Sequence, residues 1–228
     1  MAAAIDKRVG SLAAALGEVG DGSVVMVGGF GDSGIPEELL AALLEQGARE
    51  LTLIANNAGS GEGGVAALLR ERRVRRIVCS FPRSSGSVWF ERRYRAGEVE
   101  LEVVPQGTLS ERIRAGGAGI AAFYTPTAAG TALAAGKETR VLAGREHVLE
   151  HALRADLALI RARAADRWGN LVFHTAARNY APTMAMAARR TVAQVDELVE
   201  LGELDPEAVV TPGVYIDRVV RQPRREAA

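Results

Sequence analysis

The sequence has little cysteine, no excess charge of either sign and no long apolar run. Cys79 is the single cysteine in 228 residues, so an internal disulfide is excluded. The 28 basic residues balance 28 acidic residues, so the charge excess of a nucleic-acid-binding domain is missing. Apolar stretches fall short of the roughly 18 to 20 residues that a membrane span requires, and the N-terminus lacks a signal peptide's apolar core. We expect a soluble, cytoplasmic protein that binds neither nucleic acid nor membrane.

The rest of the composition is typical of a globular enzyme-sized chain. With 48% hydrophobic residues, the chain can bury one sizeable core. No linker, long repeat or low-complexity tract divides the sequence, so we expect one domain over residues 1–228, with a disordered tail at 222–228. Cys79 ends an apolar stretch and is interpreted as a small buried residue rather than a nucleophile.

Short apolar runs alternate with stretches of helical spacing through much of the chain. Predicted strands cover residues 24–27, 51–55, 76–80, 99–104, 156–162, 171–174 and 191–199. Predicted helices cover residues 6–19, 64–73, 87–96 and 181–190, and one more starts with Pro36 as its first residue. This alternation predicts an α/β fold, in a single domain with a mainly parallel sheet flanked by helices.

The second half of the chain is less regular. Thr108 begins a capping-box pattern, which predicts a helix from there to about Ala115, ended by Gly116, Gly117 and Gly119. Residues 120–136 are interpreted as a loop. Residues 138–153 are predicted to form a hairpin around Gly144, so some antiparallel hairpins are expected in the C-terminal half.

Residues 24–36, which read VVMVGGFGDSGIP, form the stretch around which the other motifs are organised. A β-branched run is followed by four glycines within seven residues and then by the start of a helix. Glycine has no Cβ, so such a loop turns tightly and can present several backbone N–H groups to one anion. The order of strand, glycine loop and helix N-terminus therefore favours a phosphate or carbonyl oxygen at the loop.

The same loop also matches a dinucleotide-binding pattern. Residues 29–34, GFGDSG, satisfy G-x-G-x-x-G. A nicotinamide site also needs an acidic residue at the end of the second strand, roughly 20 residues on. That predicted strand ends in Asn56 and Asn57, and Glu50 lies at its other end. A dinucleotide-dependent oxidoreductase is therefore the weaker alternative.

Three strand ends carry polar residues, and the carboxyl ends of parallel strands share one edge of the sheet, where ligands bind. Asn56 and Asn57 offer neutral donors and acceptors to a carboxylate or carbonyl, or they turn the loop. Gln106 can donate to a developing oxyanion, or it closes its strand. Arg83 could bind a second, distal carboxylate of a substrate, or it is a surface arginine.

Residues 21–36, DGSVVMVGGFGDSGIP, resemble position by position the first signature of the 3-oxoacid coenzyme A-transferases, in their A (alpha) subunit. The resemblance extends over nearly the whole chain. Four stretches look most like the 3-oxoadipate CoA-transferase branch: CSFPR at 79–83, residues 91–94, AMAA at 185–188 and residues 198–212.

The resemblance implies a double displacement between succinyl-CoA and a 3-oxoacid, most closely 3-oxoadipate, with acetoacetate or another short 3-oxoacid as the alternative. The acyl-CoA is attacked by a glutamate of a separate B subunit, and CoA thiolate converts the mixed anhydride into an enzyme thioester. The acceptor carboxylate then reverses these steps. An A2B2 assembly is implied, with coenzyme A thioester as substrate, no tightly bound cofactor and no metal.

The resemblance also assigns roles to residues of this chain. Gln106 is expected to stabilise the oxyanion, and Asn56 and Asn57 to contact the substrate. Glu62 is expected to be a solvated loop carboxylate, because the acyl-accepting glutamate belongs to the B subunit. The residues expected to bind coenzyme A are Gly28, Gly29, Phe30, Gly31, Asp32, Ser33 and Gly34. A non-catalytic CoA-binding module is a further alternative.

Overall fold

A computed structural model describes residues 5–84 and 86–222. The strands are Arg8–Val9 (β1), Val24–Val27 (β2), Leu51–Asn57 (β3), Val74–Phe81 (β4), Glu100–Val103 (β5), Ala122–Thr125 (β6), Thr139–Leu142 (β7), Arg145–His151 (β8), Ala155–Ala165 (β9), Leu171–Val172 (β10), Ala188–Leu198 (β11) and Arg218–Arg221 (β12). The α-helices are Leu12–Leu16 (α1), Glu37–Gln46 (α2), Gly64–Arg70 (α3), Val88–Arg95 (α4), Gln106–Ala118 (α5) and Ala181–Ala187 (α6). Short 3-10 helices cover Ala132–Ala134, Thr175–Arg178, Pro206–Ala208 and Gly213–Tyr215.

Among the described residues, nine strands form one sheet in the order β1-β12-β11-β9-β2-β3-β4-β5, with β10 paired to β9 off this path. Every neighbouring pair is parallel except β9 and β10. The predicted α/β class with a mainly parallel sheet is confirmed. Because β9 pairs with β2, the C-terminal half of the chain lies directly beside the first central strand.

The sheet is buried on both faces, as the apolar strands require. Val25 and Val27 of β2 pack in a core with the helices α1 to α4, whereas Met26 between them packs in a second core with α5 and α6. Alternation of side chains along each strand thus divides the core into two layers. Cys79 of β4 is 0% exposed within the first layer, which confirms its interpretation as a buried apolar residue.

A separate three-stranded antiparallel sheet, in the order β6-β8-β7, packs beside α5. The predicted hairpin is confirmed, since β7 and β8 are joined through Ala143 and Gly144, both at positive φ. Glu150 of β8 is 2% exposed and accepts a hydrogen bond from Lys137 Nζ at 2.6 Å. Arg112 of α5 lies 3.7 Å from the same carboxylate and donates to the His151 carbonyl at 2.7 Å. These ionic contacts attach the small sheet to α5.

Three sequence predictions are corrected by pairings between distant segments. The predicted helix at 6–19 is reduced to Leu12–Leu16, because residues 8 and 9 pair with β12. The predicted loop at 120–136 contains β6, which pairs with β8. The predicted helix at 181–190 ends at Ala187, where β11 begins. In each case a strand exists because of a partner far away in the chain.

Helix α5 starts earlier and ends later than predicted. It begins at Gln106, with Pro105 as N-cap, so the capping box at Thr108 is wrong. Gly116 and Gly117 lie inside the helix, and Gly119 ends it in the left-handed conformation at φ 77°. A Cβ on Gly116 would collide with the carbonyl oxygen of Leu153. These two internal glycines therefore allow close packing rather than ending the helix.

Two smaller points concern the ends of elements. Pro36 is the N-cap of α2 rather than its first residue. Gln222, the first residue of the predicted tail, donates its backbone N–H to the Val195 carbonyl at 2.7 Å. The rest of that tail, residues 223–228, lies outside the described residues. A helix of the length and apolarity needed to cross a bilayer is absent from the described part of the chain.

Replacing Gly116 with alanine is expected to destabilise the protein. The new methyl group meets rigid backbone, and overpacking of this kind lowers the free energy of unfolding by about 2–3 kcal/mol. Gly107 in the same helix is the matched control, because no atom lies within 4 Å of its Cβ position. Gly107→Ala should raise stability by about 0.5–1 kcal/mol. Urea unfolding of the purified chain measures both, and equal stability of the two variants would contradict the packing explanation.

The Cys79 thiol is expected to be unreactive in the native protein. Burial raises its pKa to about 12, so at pH 8 the thiol stays protonated as well as inaccessible. Titration with an aromatic disulfide reagent should give no reaction in buffer and one equivalent after unfolding in guanidinium. Rapid stoichiometric labelling of the folded protein would show that β4 is not buried as described.

Candidate functional site

The candidate site lies at the carboxyl edge of the parallel sheet, where β2, β3 and the start of α5 meet. A cavity of ≈ 60 Å³ separates the glycine loop after β2 from the loop after β3. Its lining comprises Val27, Gly28, Gly29, Gly31, Asp32, Ile35, Glu37, Ala55, Asn56, Asn57, Gly59, Ser60, Gly63, Gly64 and Val65. Pockets that enclose a whole ligand are several times larger, so this cavity admits one small group rather than a cofactor.

The first two amides of the glycine loop donate hydrogen bonds within the protein. Gly28 N donates to the Leu159 carbonyl at 2.9 Å, as a continuation of the pairing between β2 and β9. Gly29 N donates to Asn179 Oδ1 at 3.0 Å. Neither N–H group is therefore available to a bound anion.

The tip of the glycine loop closes on itself. Phe30 and Ser33 exchange two backbone hydrogen bonds of 3.0 Å each, which forms a tight turn. Within the described part of the chain, the amides of Gly31, Asp32 and Gly34 donate to no other group. Internal bonds therefore leave these three N–H groups of the loop for an anion.

Asn179, which sequence reasoning did not single out, holds the glycine loop in place. Its backbone is at φ 33°, an unusual value that asparagine tolerates better than most residues. Besides accepting from Gly29, its side chain donates to the Ser33 carbonyl at 3.3 Å and to the Ala177 carbonyl at 2.6 Å. A Cβ at position 34 would collide with the Ala177 carbonyl oxygen, so a glycine is required for the loop to lie this close to Ala177 and Asn179.

Asn56 and Gln106 are brought together, as the strand-end argument predicted. Asn56 is the sixth residue of β3 rather than a residue after it, and it is 5% exposed. Gln106, the first residue of α5, donates from Nε2 to Asn56 Oδ1 at 2.9 Å. The primary amide carries two hydrogens, so one remains to donate to another group. The bond also fixes which end of the Gln106 amide faces Asn56.

Tyr180 is a second residue that the sequence analysis missed. Its hydroxyl donates to the same Asn56 Oδ1, at 3.4 Å. Burial raises the pKa of the phenol, so it stays protonated and acts as a donor. Asn179 and Tyr180 are adjacent, and together they connect the glycine loop with the end of β3. The one feature of the sequence that could have pointed to these two residues was an asparagine in a short irregular segment.

Asn57 has a different environment from Asn56. Its Oδ1 accepts from the Gly59 amide at 2.9 Å, and its Nδ2 donates to the Gly31 carbonyl at 3.4 Å. An asparagine bonded to the amide two residues on turns the chain. Asn57 therefore links the loops on either side of the small cavity.

Arg83 and Glu62 both lie on the surface and in ion pairs. The Arg83 side chain is 69% exposed, and its Nε donates to Glu91 at 3.2 Å, with no hydrogen bond to Asn56 or Gln106. The Glu62 carboxylate is 71% exposed, pairs with Arg70 at 2.9 Å and accepts from the Trp89 indole at 3.0 Å. This exposure agrees with the interpretation of Glu62 as a solvated loop carboxylate.

Two carboxylates that line the small cavity are Asp32 and Glu37. Glu37 is the first residue of α2 and lies against Gly64, the first residue of α3. A Cβ added to Gly64 would be 2.8 Å from Glu37 Oε2. The positive end of a helix stabilises a carboxylate placed there. Within the residues that the structure covers, no three histidine, cysteine or carboxylate side chains gather as metal ligands would.

The sequence matches the coenzyme A transferase family over residues 9–222. It is 59% identical over 216 residues to the A chain of 3-oxoadipate CoA-transferase from Pseudomonas putida, a match that covers 95% of this chain and 94% of that protein. It is 54% identical over 215 residues to the A chain of succinyl-CoA:3-ketoacid coenzyme A transferase from Xanthomonas campestris pv. campestris, covering 94% of this chain and 88% of the relative.

Solved structures give the same fold. Glutaconate coenzyme A-transferase from Acidaminococcus fermentans superposes with a TM-score of 0.85 at 21% identity, over 95% of this chain and 76% of that one. The sequence matches confirm the resemblance seen in the sequence, this structure confirms the fold, and the oxidoreductase alternative is overruled. The chain belongs to the coenzyme A transferase family.

Proposed function

We propose that this chain is the A component of an enzyme that transfers coenzyme A from succinyl-CoA to 3-oxoadipate in the cytoplasm. The name and the 59% identity of the Pseudomonas relative support this substrate, and the Xanthomonas relative supports acetoacetate or another short 3-oxoacid as the alternative. A separate B subunit completes the site, in an A2B2 assembly with no tightly bound cofactor. The observation that carries the proposal is the Gln106–Asn56 pair beside the glycine loop.

In the proposed reaction the thioester carbonyl of succinyl-CoA is attacked by a glutamate of the B subunit. Negative charge then builds on the carbonyl oxygen, and the second N–H of Gln106 donates to it. The donor is neutral and already oriented by Asn56, so little reorganisation is needed as the charge develops. Tyr180 supports this orientation through the same Asn56 oxygen.

When the oxyanion collapses, the C–S bond breaks and CoA thiolate leaves, which gives a mixed anhydride of succinate and the glutamate. The thiolate then attacks the glutamyl carbonyl, which releases succinate and gives an enzyme thioester. The carboxylate of 3-oxoadipate attacks that thioester, and the same steps run in reverse to give 3-oxoadipyl-CoA and free glutamate. Each step exchanges one acyl partner for another, so no oxidant or water is consumed. The small cavity beside Asn56 and Asn57 is where we place the reacting acyl group.

We further propose that the glycine loop, Gly28 to Gly34, contacts the CoA-bearing part of the substrate. The amides of Gly31, Asp32 and Gly34 are the candidates for this contact, because the others donate within the protein. Binding energy gained by these remote contacts can stabilise the transition state at the thioester. Asn57 acts here by holding the loop through the Gly31 carbonyl.

Gln106→Ala, produced together with the B subunit, is expected to lower kcat by a factor of about 100 to 1,000, as for loss of one oxyanion donor. The KM values should change little, because the lost bond forms in the transition state. Gln46→Ala is the matched control, since Gln46 is an exposed amide that bonds to the Gly17 carbonyl, away from the site. Steady-state assay of CoA transfer tests both, and a Gln106 variant with more than half of wild-type kcat would exclude the role.

The assembled enzyme is expected to have a higher kcat/KM with 3-oxoadipate than with acetoacetate, and this comparison tests the proposed substrate. Arg83→Ala should bring the kcat/KM values for the two acceptors closer together. In the wild type, the Arg83 guanidinium can leave Glu91 and bind the distal carboxylate of 3-oxoadipate, and the variant loses this group. Acetoacetate has no such group. Equal losses with both acceptors would show that Arg83 does not recognise the distal carboxylate.

A further inference from the structure

A second cavity, of ≈ 270 Å³, lies on the other side of the glycine loop from the small one. The loop contributes Asp32, Ser33 and Gly34 to its lining. The opposite wall carries Arg161 and Arg163 of β9, and the rim carries His174. The glycine loop is therefore a partition between two cavities, of which only the first contains Asn56.

The arginines reach this position because β9 is longer than its neighbour. Val27, the last residue of β2, pairs with Leu159, and β9 continues to Ala165 beside β11. Side chains alternate along a strand, and Leu159 faces the core formed with α1 to α4. Arg161 and Arg163 therefore project on that same side, beyond the end of the core and level with the loop.

The two arginines differ in their charge partners. Arg161 Nη2 donates to Asp196 Oδ1 at 2.9 Å, and the other oxygen of Asp196 lies 3.2 Å from His174 Nε2. Arg163 is half-buried, and within residues 5–84 and 86–222 it has neither an ion pair nor a side-chain hydrogen bond. Asp32 is the acidic residue that the glycine loop contributes to this cavity, and no ion pair joins it to Arg163.

Two loop residues that line this cavity also have unused backbone donors. The amides of Asp32 and Gly34 donate to no group in the described chain, and both residues line the cavity. A guanidinium next to unbonded backbone N–H groups is the donor set that binds carboxylate and phosphate groups in proteins. Arg161 on the same wall is compensated by Asp196, so Arg163 is the residue whose charge is open to an anion.

We propose that this cavity is a second anion site of the enzyme, in which Arg163 and the loop amides bind a phosphate or carboxylate group of a substrate. The proposal rests on the proposed function, since it assigns one end of a CoA-transferase substrate to this cavity. It also gives the glycine loop two roles, with one substrate part on each side.

The distance from the reacting group favours a phosphate of coenzyme A. Met26 of β2 pairs with Ile54 of β3 and with Ala158 of β9, so two residues farther along each strand Asn56 and Ile160 lie at about the same height in the sheet. Arg163 is three residues farther along and two strands across, so its Cα lies about 14 Å from that of Asn56. A long thioester spans this separation more readily than a short dicarboxylic acid does.

The test compares Arg163→Gln with Arg178→Gln in the enzyme assembled with its B subunit. Arg178 is an exposed arginine of the neighbouring 3-10 helix and is outside the cavity lining. Steady-state KM and kcat are measured with succinyl-CoA and with succinyl-pantetheine, which lacks the phosphates, and with 3-oxoadipate and acetoacetate as acceptors. Size-exclusion chromatography with light scattering monitors assembly.

For a phosphate, Arg163→Gln should raise the KM for succinyl-CoA about tenfold, with kcat within twofold and the KM for succinyl-pantetheine unchanged. For a carboxylate, the KM for 3-oxoadipate should rise while that for acetoacetate does not. Either result supports the anion site. Unchanged KM values, an equal rise in Arg178→Gln, or failure of the Arg163→Gln chain to assemble with the B subunit would overturn it. A wild-type assembly that transfers no CoA would instead refute the proposed function.

Discussion

The hydrogen bond from Gln106 to the buried oxygen of Asn56 is the interaction on which the site depends. Asn56 lies near the end of a central strand with almost no solvent exposure, so its carbonyl oxygen needs a donor from within the protein. A buried acceptor left without any donor costs about 1–3 kcal/mol. Gln106, the first residue of α5, donates to this oxygen, and so does the phenol of Tyr180, the N-cap residue of α6. Strand, helix and proposed oxyanion donor are thereby fixed relative to one another.

The glycine loop is held more rigidly than its composition indicates. Asn179 bonds to the loop at two positions, and the loop tip closes through Phe30 and Ser33. Three of its amides have no partner among the residues that the structure describes, and the loop separates a small cavity near Asn56 from a larger one near Arg163. A site this small agrees with the proposed division of the catalytic groups between two polypeptides, in which this chain would bind the electrophile.

The parts that were predictable from sequence are those with a local cause. Strands β2 to β4 contain short apolar runs, and β5 alternates charged and apolar residues. The hairpin turn has its glycine, and the carboxyl-edge rule brought Gln106 close to Asn56. The errors at helix starts were small, and the larger ones involve contacts between distant segments: β1 and β6 need strands far along the chain, and Gly116 is explained by Leu153. Asn179 and Tyr180 were missed for the same reason, since only the folded chain puts them next to the glycine loop and β3.

The most direct test of the central claim is to locate the covalent intermediate. The assembled enzyme would be incubated with succinyl-CoA without acceptor and digested, and the CoA adduct mapped by mass spectrometry. We expect the adduct on a glutamate of the B subunit, with this chain unmodified. An adduct on this chain, at Glu37 or Asp32 beside the small cavity, would contradict the claim that this chain binds and stabilises while its partner attacks.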